Sequence, residues 1–333
     1  MSGGQAASGV TLRQDLMSLV EEIQFEDLNL TADTIAVPAP VAEVTGYWPV
    51  LPREVRMKVP DTRRQADGSF NRDQWDWNSD SYLTYEYGFE EPVDMTSQEV
   101  NERFINQEAI AASLAWQKLL LGRESRVATA LMNTTTFTGA TNTVAVAEEW
   151  DDAANAVAWA NIDAAAIILR GKTGYAKRSM SLIITDDNLD YVMRSTNVIA
   201  NIKYTRDIET MPREGKRRWF AEYLGIKEVL ETSAIYDTSK LGGTFSATTA
   251  GKFWSNEYGM LCILDRSPSM MQTGVIKQPV FSQYAQDYVM ESYEEPAQRK
   301  LIIRAREYRG IKVNADYGVL LTNMKTTVGT GGI

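Results

Sequence analysis

The stretch "QWDWNSDSYLTYEYGFEEP", residues 74 to 92, limits the fold more than any other part of the chain. Trp75, Trp77, Leu83, Tyr85, Tyr87 and Phe89 fall on odd positions, while Asp76, Asn78, Asp80 and Glu86 fall on even ones. Successive side chains of a strand point to opposite faces, so a strand here carries one aromatic face. Upstream, Val55, Met57 and Val59 alternate with Glu54, Arg56 and Lys58, and Asp67 with Gly68 supplies a turn. The pattern predicts a hairpin with arms of ~12 residues, reaching about 40 Å at ~3.3 Å per residue. A compact domain of 333 residues needs no such projection, and an aromatic face on it must be covered by something.

The remaining segments follow in a definite order. Residues 1–10 read as flexible, after which Leu12, Leu16, Leu19, Val20 and Ile23 recur at helical spacing and form a short amphipathic arm, too small to fold alone. Pro38 and Pro40 make "IAVPAPVAEV" an extended connector. Beyond the hairpin, a capping-box pattern from Thr96 to Glu99 opens a helix-compatible run to about Met132, roughly 50 Å long at 1.5 Å per residue, with Gly122 as a bend. From about 150 to 275, "WANIDAAAIILR", "MSLIIT", "DDNLDYVMRST", "RRWFAEYLG", "IKEVLE" and "GMLCILD" alternate helix with buried strand, as in a mixed α/β domain. "YVMESYEEP" and "RKLIIRAREYR" read as antiparallel strands, and "GIKVNADYGVLLTNM" closes with a buried strand.

Composition excludes several classes of function. The chain has no histidine, which removes the commonest general base, the usual zinc ligand and every histidine-activated nucleophile. Cys262 lies within "GMLCILD" and reads as a small apolar core residue. The pairs Glu90 with Glu91, Asp151 with Asp152 and Glu294 with Glu295 read as solvated surface charge rather than acid-base pairs. A formal net charge of −10 argues against a chain built to grip nucleic acid. "AAIILRGKTG" lacks the glycine that a phosphate loop needs at the position of Ala166, so Gly171 reads as a helix end. "REGKRRWF" reads as an exposed basic turn leading into an amphipathic helix. No cofactor or metal is expected. No apolar run reaches membrane-spanning length and the first residues lack a secretory pattern, so synthesis in the cytosol is expected.

An arm, a long hairpin, a long helix and an α/β domain, in that order, resemble the major capsid proteins of tailed bacteriophages with the Hong Kong 97 type fold, shared with encapsulin shells. The resemblance covers nearly the whole chain, including "SLIITDDNLDYVMRS", "VIANIKYT" and "ADYGVLLTN". It implies an α+β chain divided into an N-terminal arm (1–30), connector and E-loop hairpin (31–95), peripheral domain with a spine helix (96–150), axial α/β domain (151–275), peripheral strands (276–310), and a return strand of the axial domain with a tail (311–333). In such shells the E-loop lies over the adjacent subunit, which would place Arg63, Arg64, Arg72, Trp75, Trp77, Tyr85 and Tyr87 in intersubunit contacts. Packing of these rings on their own spine helix and α/β domain is the alternative.

One departure has a chemical consequence. The type member joins an E-loop lysine to an asparagine of another subunit with help from a buried glutamate. Here the outer loop holds Arg63, Arg64 and Arg72 but no lysine, and Lys58 lies well down the first arm. Arginine cannot supply the free amine, so a non-covalent shell is expected. The resemblance implies a homo-oligomer of hexamers and pentamers in a virion capsid, assembled in the host cytoplasm around double-stranded DNA without sequence-specific binding. Portal and cement proteins are its expected partners, with a separate scaffolding protein or none, and no membrane. An encapsulin-type shell and a histidine-free α/β enzyme are the other readings.

Overall fold

The computed structural model describes residues 10–22, 29–50, 57–64, 68, 70, 72, 78–97, 106–202, 211–240, 243–268, 274–283 and 287–325. In chain order these form β1 (Thr11–Leu12), α1 (Gln14–Glu22), α2 (Ala32–Ile35), β2 (Pro38–Val41), β3 (Thr45–Val50), β4 (Asn78–Leu83), β5 (Tyr85–Asp94) and α3 (Gln107–Leu131). Then come β6 (Thr143–Ala145), α4 (Ala158–Thr173), β7 (Ser181–Thr185), α5 (Asp186–Arg194), α6 (Thr196–Ile202), α7 (Arg213–Leu224), β8 (Glu228–Thr232), β9 (Ile235–Asp237) and β10 (Ala250–Lys252). The chain continues with β11 (Gly259–Cys262), β12 (Ile276–Phe281), β13 (Val289–Glu295), β14 (Lys300–Arg309), β15 (Lys312–Val313) and β16 (Gly318–Thr322).

The axial sheet runs β6-β16-β11-β7-β8. Both of its faces are buried, which is why its strands read as continuous apolar runs. On one face Leu182, Ile184, Leu261, Val319 and Leu321 meet α4, α5, α6 and α7. On the other, Ile183, Met260, Cys262 and Leu320 meet Val127, Ala128 and Leu131 at the end of α3. The expected closing strand, β16, therefore lies inside the sheet between β6 and β11. Thr143–Ala145, read from sequence with the peripheral segment, is instead an edge strand of this axial sheet.

The peripheral sheet runs β1-β13-β14-β12-β15, with β5 along the other side of β14 and β2 along β12. The expected antiparallel pair is present, in register from Val289 opposite Arg306 to Glu295 opposite Lys300. One face carries Val93, Met290, Ile303 and Ala305 under Ala111, Ala112 and Ala115 of α3 and Leu16, Met17 and Val20 of α1. Leu16 and Val20 of the arm's apolar stripe are thus buried in their own subunit, Leu12 is 37% exposed and Ile23 lies outside the described residues, and β1 extends the sheet along β13.

Three sequence expectations are corrected. The spine helix α3 starts from Asn106, whose Oδ1 accepts a hydrogen bond from Ala109 N at 3.0 Å; residues 95–97 are also helical, and Glu99 of the capping-box pattern lies outside the described residues. Its 25 residues span about 37 Å and pass through Gly122 without interruption. Gly171 lies within α4, and the helix ends at Gly174, where φ is +73°. Left-handed backbone of that kind favours glycine. The basic segment from Arg213 is the first turns of α7 rather than a turn before it, with Pro212 at its cap.

Because the arm packs in cis, Leu16→Ala is expected to cost about 2–4 kcal/mol in the unassembled chain, read as a lower denaturation midpoint. An unchanged midpoint would mean that the arm is held only by assembly.

Candidate functional site at the hairpin base

The hairpin begins earlier than its alternation suggested. β3 pairs with β4, from Thr45 opposite Leu83 to Val50 opposite Asn78, so the first arm starts at Thr45 and not at Arg53. Residues 51–56 lie outside the described residues, and no strand includes 57–64. Trp48 and Tyr82 form the inner face of this base, fully or nearly buried, with ring centroids 5.6 Å apart. The outer face is open, Tyr47 being 74% and Leu83 46% exposed.

The predicted single strand through 74–92 is two strands with different partners. Thr84 lies between them, and its backbone N and Oγ1 both donate to Val44 O, at 2.8 and 2.9 Å. β5 then leaves the hairpin and pairs along all of β14, Tyr85 opposite Arg309 and Asp94 opposite Lys300. Gly310 is required where the chains cross, because a Cβ there would collide with Leu83 O.

The odd-numbered face of β5 is covered progressively along its length. Val93 is buried under α1 and α3. Lys118 Nζ lies 4.3 Å from the Phe89 ring centroid, and the Arg126 guanidinium 3.6 Å from that of Tyr87. Tyr85 meets Tyr87 edge-on at 6.4 Å and stays 56% exposed. The face therefore rests partly on its own spine helix and opens toward the hairpin.

Behind Tyr87 is a buried ion cluster. The side chain of Glu307 in β14 has no solvent exposure and accepts from Arg123 Nε at 2.8 Å and Arg126 Nη2 at 3.0 Å. Arg309 Nε lies 3.0 Å from the same carboxylate, at ion-pair distance but without hydrogen-bond alignment. Asp33, next to the connector, bridges Arg123 at 2.8 Å and Arg309 at 3.0 Å. Gln278 Oε1 takes the Nη1 of Arg309 at 2.9 Å. Desolvation opposes the charge on Arg123, but Glu307 and then Asp33 outweigh it and its pKa is raised. At Arg126 desolvation dominates and the pKa is lowered. Three guanidinium groups thus share two carboxylates beneath the hairpin base.

Next to Arg123 on α3, Glu124 joins three parts of the chain with no cation at ion-pair distance among the described residues. Its fully buried carboxylate accepts from Thr31 N at 2.9 Å, Thr31 Oγ1 at 2.8 Å, Ala32 N at 2.7 Å and Trp254 Nε1 at 2.6 Å. It holds the first turn of α2, where backbone N–H groups otherwise lack partners, and ties α3 to the loop before β11.

The sequence-predicted contact residues fall into three groups. Tyr85 and Tyr87 lie together on β5, as described. Arg63, Arg64 and Arg72 are exposed, with Arg64 Nε donating to Gly68 O at 2.8 Å and its guanidinium 5.3 Å from the Phe70 ring. Trp75 and Trp77 lie outside the described residues. Arg123, Arg126, Glu124, Glu307 and Asp33 were not anticipated, although the polar "GRESR" inside an apolar helix was visible. Lys172 of the phosphate-loop lookalike donates to Asn142 Oδ1 and Ala315 O, both at 2.6 Å, and to Gly318 O at 3.0 Å, fastening α4 to β16. Glu90 pairs with Arg304 at 2.7 Å, and Glu91 with Lys118. Cys262 is buried, and desolvation pushes its thiol pKa up. Among the described residues no group of three or more metal-type ligands is assembled, and no helix is long and apolar enough to cross a membrane.

Comparison with known proteins places this architecture. No family model and no curated protein sequence matches the chain. Solved structures do. A phage-related protein from Bordetella bronchiseptica superposes with a TM-score of 0.68 at 14% identity, over 94% of this chain and 98% of the other. The capsid structure of the cyanophage P-SCSP1u gives 0.52 at 10% identity over 96% and 90%. A virus-like particle from Pyrococcus furiosus gives 0.51 at 12% over 92% and 96%. The architecture is shared with a cyanophage capsid and a virus-like particle. It is an α+β fold of the Hong Kong 97 type, with the spine helix on the peripheral sheet and the axial sheet beyond it.

Glu307→Gln is expected to cost about 3–5 kcal/mol, since it strands buried guanidinium groups. Glu86→Gln, at an exposed pair with Arg306, should cost under ~1 kcal/mol. Chemical denaturation of the unassembled chain measures both. Cys262 is expected to resist thiol reagents in the native chain and to react fully once unfolded, read from the colour yield of a thiol-specific disulfide reagent.

Proposed function

We propose that the chain is a structural, non-enzymatic major capsid protein that assembles into hexameric and pentameric capsomers of an icosahedral phage head. The observation that carries this reading is the hairpin base. Tyr47 and Leu83 on the outer face of the hairpin, and Tyr85 where β5 leaves it, are exposed apolar groups, while the hairpin's inner face is already packed, in a fold shared with a cyanophage capsid. Exposed aromatic and aliphatic groups on a projecting element are expected at an obligate interface. In this reading the E-loop lies over an adjacent subunit, with Tyr85, Tyr87, Trp75 and Trp77 as ring contacts and Arg63, Arg64 and Arg72 pairing with its carboxylates. The shell is non-covalent, encloses double-stranded DNA in the virion, and assembles in the host cytoplasm. Its further partners would be portal and cement proteins, with a separate scaffolding protein or none.

Purified chain is expected to sediment as megadalton closed particles, or as capsomers competent to form them, visible by electron microscopy. Nucleic-acid content separates a DNA-filled head from an encapsulin-type shell around protein. A stable monomer at high concentration would overturn the proposal. Replacing Tyr47 and Tyr85 together by serine should leave the unassembled midpoint within ~0.5 kcal/mol, as for exposed positions, while the particle falls apart at lower denaturant concentration. Equal losses in both states would place these rings in cis.

A further inference from the structure

The axial sheet ends in two different edges, β6 and β8, and each carries charge of opposite sign. From Val127 to Leu169 the chain contains no lysine or arginine, and directly after β6 it places Glu148, Glu149, Asp151 and Asp152. This acidic turn is fixed to the sheet. Val146 N donates to Thr322 O at 3.0 Å, Trp150 N donates to Met324 O at 2.8 Å, and the Trp150 ring is buried. Asp152 caps the next turn through Ala154 N, at 3.0 Å. Glu148 is exposed and Glu149 half-buried, and neither has a cation at ion-pair distance among the described residues.

At the other edge, α7 lies beside β8 and leaves a groove of about 480 Å³. Ala221, Ile226 and Val229 contribute apolar lining, and Arg217, Arg218 and Lys227 supply positive charge. Glu214 and Glu222 also border it, while Glu228 is engaged by Ser181 and Arg266, at 3.0 and 2.8 Å. Arg213, at the start of the same helix, is bound by Glu231 and by Asp190. By contrast Arg217, Arg218 and Lys227 have no carboxylate at ion-pair distance among the described residues. β8 has β7 on one side and no strand on the other among those residues.

We propose that the acidic turn after β6 of one copy docks into the basic α7–β8 groove of the next, head to tail around the capsomer. The inference rests on the capsid reading. A rotationally symmetric ring must join two different patches of the same chain, one on each side of every subunit. The two edges of one sheet lie on opposite sides, and their charges complement each other. Complementary charge of this kind sets register and association rate and rejects like-charged partners.

Charge reversal tests it. R217E/R218E and E148K/E149K are each expected to reduce capsomer and particle yield roughly tenfold or more at low salt, with circular dichroism and monomer melting unchanged. R217A/R218A, which adds no negative charge, should show a smaller loss in the same direction. The quadruple variant should regain particles. An equimolar mixture of the two reversed chains should form six-membered rings, where they can alternate, and fail at five-membered ones. The inference is overturned if wild-type chain assembles and the reversed chains do so equally well, or if the quadruple variant is no better than the doubles. It is also overturned if R217E/R218E keeps full particle yield and loses only nucleic-acid content, which would assign the groove to phosphate. Wild-type chain that forms no particles under any condition overturns the capsid reading and this inference together.

Discussion

The carboxylate of Glu307 is the point on which the peripheral half of the molecule turns. Removing a charge from water costs several kcal/mol, and only well-aligned partners return it. Glu307 obtains them from Arg123 and Arg126 on the spine helix, and Arg309 on its own strand adds a charge at ion-pair distance. Asp33 then draws in the segment before the connector. Helix and sheet must both be in place for Glu307 to be satisfied, and Asp33 completes the partners of Arg123 and Arg309. Sliding the spine by one turn would leave buried guanidinium groups without acceptors, so the cluster selects one packing among the many that an alanine-rich interface would tolerate.

Glu124 does the same work for the junction with the axial domain, by hydrogen bonds instead of ion pairs. Four donors from the start of α2 and from Trp254 converge on one buried carboxylate. Together the two glutamates make a rigid platform, and the hairpin base stands on it. Tyr87 rests on Arg126, itself held by Glu307, so the inner end of the aromatic face is fixed while Tyr85, Leu83 and Tyr47 face outward. Preorganising a contact surface before association lowers the ordering cost of binding.

Much of this was legible in the residues, for identifiable reasons. "SLIIT", "GMLC" and "GVLL" announced axial strands because a sheet buried on both faces needs no alternation. β14 was legible because Leu301, Ile303 and Ala305 recur on one face, toward the helices, at the two-residue period of a strand. The first hairpin strand was missed because "TGYWPV" contains Gly46 and Pro49, both disfavoured in strands. Proline is tolerated there because, among the described residues, β3 is paired with a strand on one side alone. Choosing Gly171 over Gly174 as the helix end was a three-residue error that only the left-handed backbone resolves. The ion cluster could not be read at all, since its pairs join residues 184 positions apart for Arg123 with Glu307 and 276 apart for Arg309 with Asp33.

The spine helix belongs to two cores. Ala111, Ala112 and Ala115 pack under the peripheral sheet, while Val127, Ala128 and Leu131 pack under the axial sheet. A single continuous rod embedded at both ends leaves no hinge between the two halves, because bending it would open voids in one core or the other. In the proposed phage head, copies of such a subunit around fivefold and sixfold axes would meet at different angles. In the proposed capsid the difference in curvature would be taken up outside the rod, at the edges of the sheets, the compliant joints of an otherwise stiff tile.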